Sequence, residues 1–325
     1  MASNSSINSA AQLSKAELSG LFLPITTPFA ADGALDFAAL RRNIAKWNET
    51  AIAGYVLLGS TGERVHVDEK EYAQVIETAR EAIPDDRLLI AGAGQHSTRL
   101  TINETWRVAG ATRVDAVLVI TPHFYRPGMT QEVLHDHYMA VADASPLPVI
   151  VYSMPPFTGI KIEPPTAARL STHENIIGIK DSSADVAGLK ETVGRVDEGF
   201  AVLTGNGTVL DAALGAGACG AILAVGGVVP TMCIAILEAV NSGDTKRAAE
   251  LQSKLSPLAA AVTTKYGIGG LKVALDLAGY EGGYVRAPLR MPDEEARGEI
   301  RQLLCQADGQ KQSTKSHEIS RTSFS

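Results

Sequence analysis

Along most of the chain, short runs of β-branched and apolar residues alternate with longer stretches in which apolar residues recur every three or four positions. The short runs are Gly20 to Ile25, Gly54 to Leu58, Arg87 to Ala91, Asp115 to Ile120, Pro148 to Tyr152, Ile176 to Lys180, Phe200 to Leu203 and Gly220 to Val225. Most are apolar at consecutive positions, as strands buried on both faces are. Between them, Phe37, Leu40, Ile44 and Trp47 mark one amphipathic helix, Val133, His137 and Val141 another, and Leu189, Val193 and Val196 a third. Strands and helices in strict alternation predict an α/β fold, and eight of them fit a (β/α)8 (TIM) barrel over residues 20–229 better than a doubly wound sheet. From Pro230 to about Cys305 only helical spacing continues, at Ile234 to Val240, Ala248 to Val262 and Leu271 to Leu277. This predicts a C-terminal helical extension over residues 230–305 packed on the barrel.

The two ends break the pattern. Residues 1–19 are rich in Ser, Asn and Ala, with Lys15 and Glu17 but no arginine, and residues 306–325 are polar and poor in apolar side chains. Both are expected to be disordered. The first segment lacks the arginines of a mitochondrial presequence and the apolar core of a secretory signal, so a cytoplasmic location is expected, with a mitochondrial one left open. The bulk composition of the 325 residues, 45% hydrophobic and 20% charged, is that of an ordinary globular chain. A net charge of -7 with no basic stripe argues against nucleic acid or an anionic membrane as partner and favours small molecules. Cys219, Cys233 and Cys305 are far apart, which suggests neither a disulfide framework nor a Cys-x-x-Cys metal site and fits a reducing compartment. No apolar run reaches the roughly 18 residues of a membrane span.

In a barrel of this kind, chemistry gathers where the strands end at their carboxyl termini. The sixth run ends in Ile176-Ile177-Gly178-Ile179-Lys180-Asp181-Ser182-Ser183. On a period of two, Lys180 shares a face with Ile176 and Gly178, so its ammonium points into apolar surroundings. A lysine there either finds a carboxylate such as Asp181 or is pushed toward the neutral amine, which can attack a ketone. Taken alone, a snorkelling or Asp181-paired lysine is the commoner outcome. The second run ends in Gly59-Ser60-Thr61-Gly62-Glu63, a turn whose backbone N–H groups and hydroxyls suit a small carboxylate, or serve merely as a glycine turn before a helix. The fourth ends in Thr121-Pro122-His123-Phe124-Tyr125-Arg126-Pro127, stiff and aromatic, a site segment or an interface plug. The fifth ends in Tyr152-Ser153-Met154-Pro155-Pro156 and places a phenol on the face of Ile150. The seventh ends in Gly205-Asn206-Gly207. An amine, a phenol and a carboxylate nest on one rim form a coherent constellation.

From about Gly20 to Pro288 these residues resemble the dihydrodipicolinate synthase and N-acetylneuraminate lyase superfamily of pyruvate-dependent class I aldolases. The resemblance lies in Pro24-x-Thr26-Thr27-Pro28-Phe29, the Gly-Ser-Thr-Gly-Glu turn, Thr121-Pro122, Tyr152 with Pro155 and Thr158-Gly159, and Ile-Lys-Asp-Ser around Lys180. Within the superfamily, Gly267-Ile268-x-Gly270-Leu271-Lys272, Gly279-Tyr280-x-Gly282-Gly283 and Arg286-Ala287-Pro288-Leu289 look most like 4-hydroxy-2-oxoglutarate aldolase. The resemblance implies a Schiff base on Lys180, proton transfer at the aldol hydroxyl by Tyr152, and capture of the pyruvate carboxylate by Ser60 and Thr61, with Thr61 also in the catalytic set. It further implies Ser182, Gly205, Ile222 and Tyr125 as substrate contacts, no cofactor, and a homotetramer. An iminium at C2 withdraws electrons so that the C3–C4 bond can break, provided a base takes the C4 hydroxyl proton. Tyr152 is that base, or water relayed by the substrate carboxylate.

Two departures narrow the activity. Dihydrodipicolinate synthases carry an arginine for the second substrate's carboxylate where this chain has Phe157, which speaks against that reaction. The tyrosine that a neighbouring subunit commonly lends to the relay is here Phe124, with Tyr125 beside it. For a distal carboxylate, Ser182, Arg126, Arg64 and His66 are the candidate donors; the tail of a 2-keto-3-deoxy sugar acid would need only hydroxyl partners. Gly92-Ala93-Gly94-Gln95-His96-Ser97 has part of a dinucleotide-loop pattern but lacks the third glycine, and reads as a barrel loop. His135 and His137, two apart on one helix, face different ways and do not suit a joint metal site, and imine chemistry needs no metal. A non-catalytic 2-oxo acid sensor would keep Ser60 and Thr61 without needing Lys180 and Tyr152.

Overall fold

Eight parallel strands pair in chain order, and the eighth returns to the first, closing a barrel. The computed structural model describes residues 13–308. The strands are β1 (Gly20–Pro24), β2 (Gly54–Leu57), β3 (Leu88–Ala93), β4 (Ala116–Ile120), β5 (Val149–Ser153), β6 (Ile176–Asp181), β7 (Ala201–Thr204) and β8 (Gly220–Ile222). Around them run α1 (Phe37–Asn48), α2 (Glu69–Ala82), α3 (Thr98–Ala111), α4 (Gln131–Ala144), α5 (Pro155–Thr158), α6 (Pro164–Leu170), α7 (Val186–Val193) and α8 (Leu210–Gly215). The expected (β/α)8 barrel is thus the observed one.

Alternation along each strand divides the apolar residues between two cores. Phe22, Val56, Ile90, Leu118, Ile150, Leu203 and Ile222 fill the barrel interior, joined by Leu18, which is fully buried ahead of β1. Leu21, Leu23, Leu57, Leu89, Val117 and Val151 point outward into the layer formed with the helices. Both faces are therefore dry, and continuous apolar runs follow. The first four helices start on side-chain caps: Asp36 accepts from Ala39 N–H, Asp68 and Glu71 form a reciprocal capping box, and Ser97 and Thr130 cap α3 and α4.

The C-terminal region is helical as expected: α9 (Pro230–Asn241), α10 (Thr245–Ala260), α11 (Gly267–Leu277) and α12 (Glu294–Asp308). A π-turn over Ala261–Lys265 joins α10 to α11. Between α11 and α12 the chain returns to the barrel, where Tyr284 N–H donates to the Phe29 carbonyl at 2.8 Å. The segments 1–19 and 306–325 lie largely outside the described residues; where they overlap, Leu18 is buried and α12 continues to Asp308. Among the described residues no helix is long and apolar enough to cross a membrane.

Three local readings change. β8 stops at Ile222 because Ala224–Gly227 forms a 3-10 turn. Val196 lies beyond the end of α7. In β6 the register shifts opposite Val149 and Ile150, and Ile177 rather than Ile176 enters the barrel interior. An extra residue in one strand resets the period of two, so Ile176 packs in the outer layer and does not share the Lys180 face.

Candidate active site

β5 and β6 run side by side with Tyr152 paired to Lys180. Lys180 is only 5% exposed, and its Nζ lies 4.1 Å from the centroid of the Tyr152 ring. Among the described residues it has no ion pair and no hydrogen bond. The neighbouring Asp181 does not neutralise it: that carboxylate turns away to accept from Ser183 N–H at 2.7 Å and from the Ser183 hydroxyl. Burial holds the Asp181 carboxyl above its usual range. Among the described residues the cation–aromatic contact is the one stabilising interaction the ammonium finds, worth about 0.5–2 kcal/mol.

The carboxyl end of β7 closes over this lysine. A methyl group on Gly205 would stand 2.0 Å from Ser182 Oγ and 2.7 Å from Lys180 Cε, so only glycine fits. Ser182 and Gly205, both expected near substrate, are therefore packed against the lysine stem. Ile222 is buried in the barrel interior beside Phe22.

The turn after β2 is bracketed by two residues in the left-handed region, Leu58 at φ 51° and Glu63 at φ 53°. Such conformations in non-glycine residues are uncommon and gather at functional sites. Within the turn, the N–H groups of Gly62, Glu63 and Arg64 bond back to the carbonyls of Gly59 and Ser60. The N–H and hydroxyl groups of Ser60 and Thr61 have no partner among the described residues, which leaves a concave set of donors for an anion.

A cavity of about 1240 Å³ reaches from this rim outward between α2 and α3, its wall including Ser60, Arg64, His96, Thr121, Tyr152 and Phe157. Neither Lys180 nor Thr61 is part of that wall; Lys180 lies against the Tyr152 ring, which is. The C-terminal region contributes Thr263, Thr264 and Ile268 from the π-turn and the start of α11. The sequence placed none of those three residues, nor His96, at the site. The ring of His96 lies 4.5 Å from that of His123 and 5.9 Å from that of Phe124. Partial burial, then His123 and Arg64, lower the His96 pKa from its ordinary 6.5. Phe124 and Tyr125 stack edge to face at 5.0 Å and are each 71% exposed.

The candidates for a distal carboxylate separate cleanly. Arg64 is engaged with Glu104, whose other oxygen accepts from Gly94 N–H at 2.9 Å. His66 Nδ1 is 3.0 Å from Glu63 Oε2. Arg126 has no ion pair among the described residues, and its guanidinium is packed so closely against Gly159 that a Cβ there would be 2.9 Å away. Its loop neighbours α5, which carries Phe157. His137 is buried, with Nδ1 2.9 Å from Thr98 Oγ1 and its pKa lowered by burial to about 4, whereas His135 faces Asp136 at 3.2 Å.

Comparison with known proteins agrees with this geometry. Residues 17–307 match the Dihydrodipicolinate synthetase family. The chain is 35% identical over 286 residues to a 4-hydroxy-tetrahydrodipicolinate synthase of Haloarcula marismortui, covering 88% of this chain and 92% of that one. It is 37% identical over 274 residues to 4-hydroxy-tetrahydrodipicolinate synthase 1 of Streptomyces coelicolor, covering 83% and 88%. Among solved structures, dihydrodipicolinate synthase of Thermotoga maritima superposes with a TM-score of 0.85 at 30% identity, covering 89% of this chain and 98% of that one. A parallel (β/α)8 barrel, a lysine and a tyrosine paired on adjacent strand ends and a sequence match spanning the whole barrel have one reading: this chain belongs to the dihydrodipicolinate synthetase family.

Proposed function

We propose that the protein is a class I lyase that forms a Schiff base between Lys180 and a 2-oxo acid and cleaves 4-hydroxy-2-oxoglutarate to pyruvate and glyoxylate. The observation that carries this reading is the buried Lys180, with no carboxylate partner among the described residues and 4.1 Å from the Tyr152 ring centroid, at the same end of the barrel as the unpaired donors of Ser60 and Thr61. The amine attacks C2 and water leaves, giving an iminium. Tyr152 takes the C4 hydroxyl proton as the C3–C4 bond breaks; the aldehyde departs and the electron pair stays on C3 as an enamine. Protonation at C3 and hydrolysis return pyruvate and the free lysine. Ser60 and Thr61 hold the C1 carboxylate throughout, which fixes the carbonyl in front of the amine.

Phe157 supports cleavage of this substrate over condensation with aspartate semialdehyde, because no cation stands at that position to meet the semialdehyde's carboxylate. Arg126, which has no ion pair among the described residues and packs against Gly159 two residues from Phe157, is the candidate for a distal carboxylate of either substrate. The relatives named 4-hydroxy-tetrahydrodipicolinate synthase favour the condensation as the second reading; a 2-keto-3-deoxy sugar acid is the third. The exposed Phe124 and Tyr125 fit a contact between subunits of a homotetramer. The test is pyruvate release measured with 4-hydroxy-2-oxoglutarate and with a 2-keto-3-deoxy sugar acid, beside consumption of pyruvate with aspartate semialdehyde. Preference for the first by at least tenfold in kcat/KM is expected. Preference for the condensation would put the second reading in its place.

A further inference from the structure

The chain buries a second lysine far from the first in sequence and directly behind the carboxylate nest. Lys272, on α11, has no exposed surface. Its Nζ is 2.7 Å from Glu63 Oε1 and donates to the carbonyls of Thr27 at 2.8 Å and Tyr284 at 2.5 Å. Glu63 closes the Ser60–Thr61 turn in its left-handed conformation, and its other oxygen faces His66 Nδ1 and accepts from Arg286 N–H, each at 3.0 Å. Thr27 in turn donates through Oγ1 to the Gly62 carbonyl at 2.7 Å. One ammonium from the C-terminal region thus ties together the loop after β1, the nest after β2 and the returning segment near Tyr284. Lys272 and Arg286 also both lie over the Phe29 ring, at 4.6 and 4.3 Å.

A buried ion pair is a poor source of stability, since desolvation offsets most of its attraction and an apolar pair of equal volume does as well. What this pair does hold is a specific backbone. The Ser60 and Thr61 donors keep their placement only while Glu63 stays left-handed and Gly62 stays in register with Thr27. Lys272 also cancels the Glu63 carboxylate, which would otherwise stand as an uncompensated anion two residues from where a substrate carboxylate is received. We infer that Lys272, acting through Glu63, is a positioning residue of the carboxylate nest, so that the C-terminal helical region completes the pyruvate site. This role rests on the Schiff-base reading given above.

The experiment is borohydride trapping of the lysine adduct as a function of pyruvate concentration, in wild type, Lys272→Met and Glu63→Asp. The second variant keeps the charge, shortens the side chain by one methylene and suits a left-handed backbone. Both variants are expected to raise the half-saturating pyruvate about tenfold while leaving the trapped adduct at saturation within about threefold, the signature of lost ground-state binding. A purely structural role would lower the melting temperature and leave half-saturation untouched; that result in either folded variant overturns the inference. Failure of both variants to fold overturns it as well, since the ion pair would then serve the fold and not the nest. Absence of any adduct in the wild type would take down the Schiff-base reading first and this role with it.

Discussion

Two lysines in this barrel are buried to nearly the same degree, Lys180 at 5% and Lys272 at 0% exposure, and their surroundings are opposite. Lys272 is fully answered: a carboxylate at 2.7 Å, two carbonyl acceptors and an aromatic face. Lys180 is answered by one aromatic face. A nucleophilic amine must shed its proton and carry its lone pair to carbon, and every acceptor that grips an ammonium opposes both steps. Burial by itself therefore does not mark a reactive lysine; burial with the acceptors withheld does. The difference is built by neighbours. Asp181 is occupied by Ser183, and Gly205 lets the chain close over the stem without offering a polar group.

The comparison breaks most sharply at Lys180 itself. Lys180→Ala should lower turnover by on the order of 10⁴–10⁶, the scale on which loss of a covalent nucleophile shows, with circular dichroism and melting unchanged. Tyr152→Phe keeps the aromatic face and removes the proton carrier, so kcat should fall by on the order of 10²–10⁴ while adduct formation with pyruvate survives. Gly205→Ala forces atoms at 2.0 and 2.7 Å to move and displaces the amine; a kcat loss of about 10²-fold is expected, read by steady-state kinetics. Lys272→Met should leave the amine chemistry in place, raise the half-saturating pyruvate, and also lower stability by about 3 kcal/mol in denaturant unfolding, because Glu63 loses its cation in a dry site.

The smallest effect is in pH. Burial lowers the Lys272 pKa from its ordinary 10.5, with Glu63 opposing the shift. Between the folded value and 10.5 the unfolded chain binds more protons, so this group makes stability rise with pH up to 10.5. Lys272→Met lacks that slope. The stability difference between wild type and variant should therefore widen as pH is raised toward 10.5, and a difference that narrows would contradict the sign.

The barrel was legible because strands buried on both faces are written as unbroken apolar runs, and Lys180 stood out as a cation at the end of one. Its freedom from Asp181 was not legible: Ser183 captures that carboxylate two residues on, a choice of side-chain geometry and not of pattern. The register shift at Ile177 was hidden for a related reason, since one inserted residue leaves composition unchanged. Ala224 and Val225 read as strand by apolarity and begin a 3-10 turn instead. The nest was visible as a glycine turn, but the lysine that holds it is 245 residues from Thr27, and no local signal links the two. Thr263 and Thr264 likewise reach the cavity from a π-turn that fills the gap between two helical stretches of the sequence.

The most direct test of the central claim is where pyruvate attaches. Borohydride reduction in the presence of pyruvate, followed by peptide mass mapping, should place one reduced pyruvyl group on Lys180 and none on Lys272. An adduct on Lys272, or none on Lys180 in a folded protein that binds pyruvate, would contradict the account.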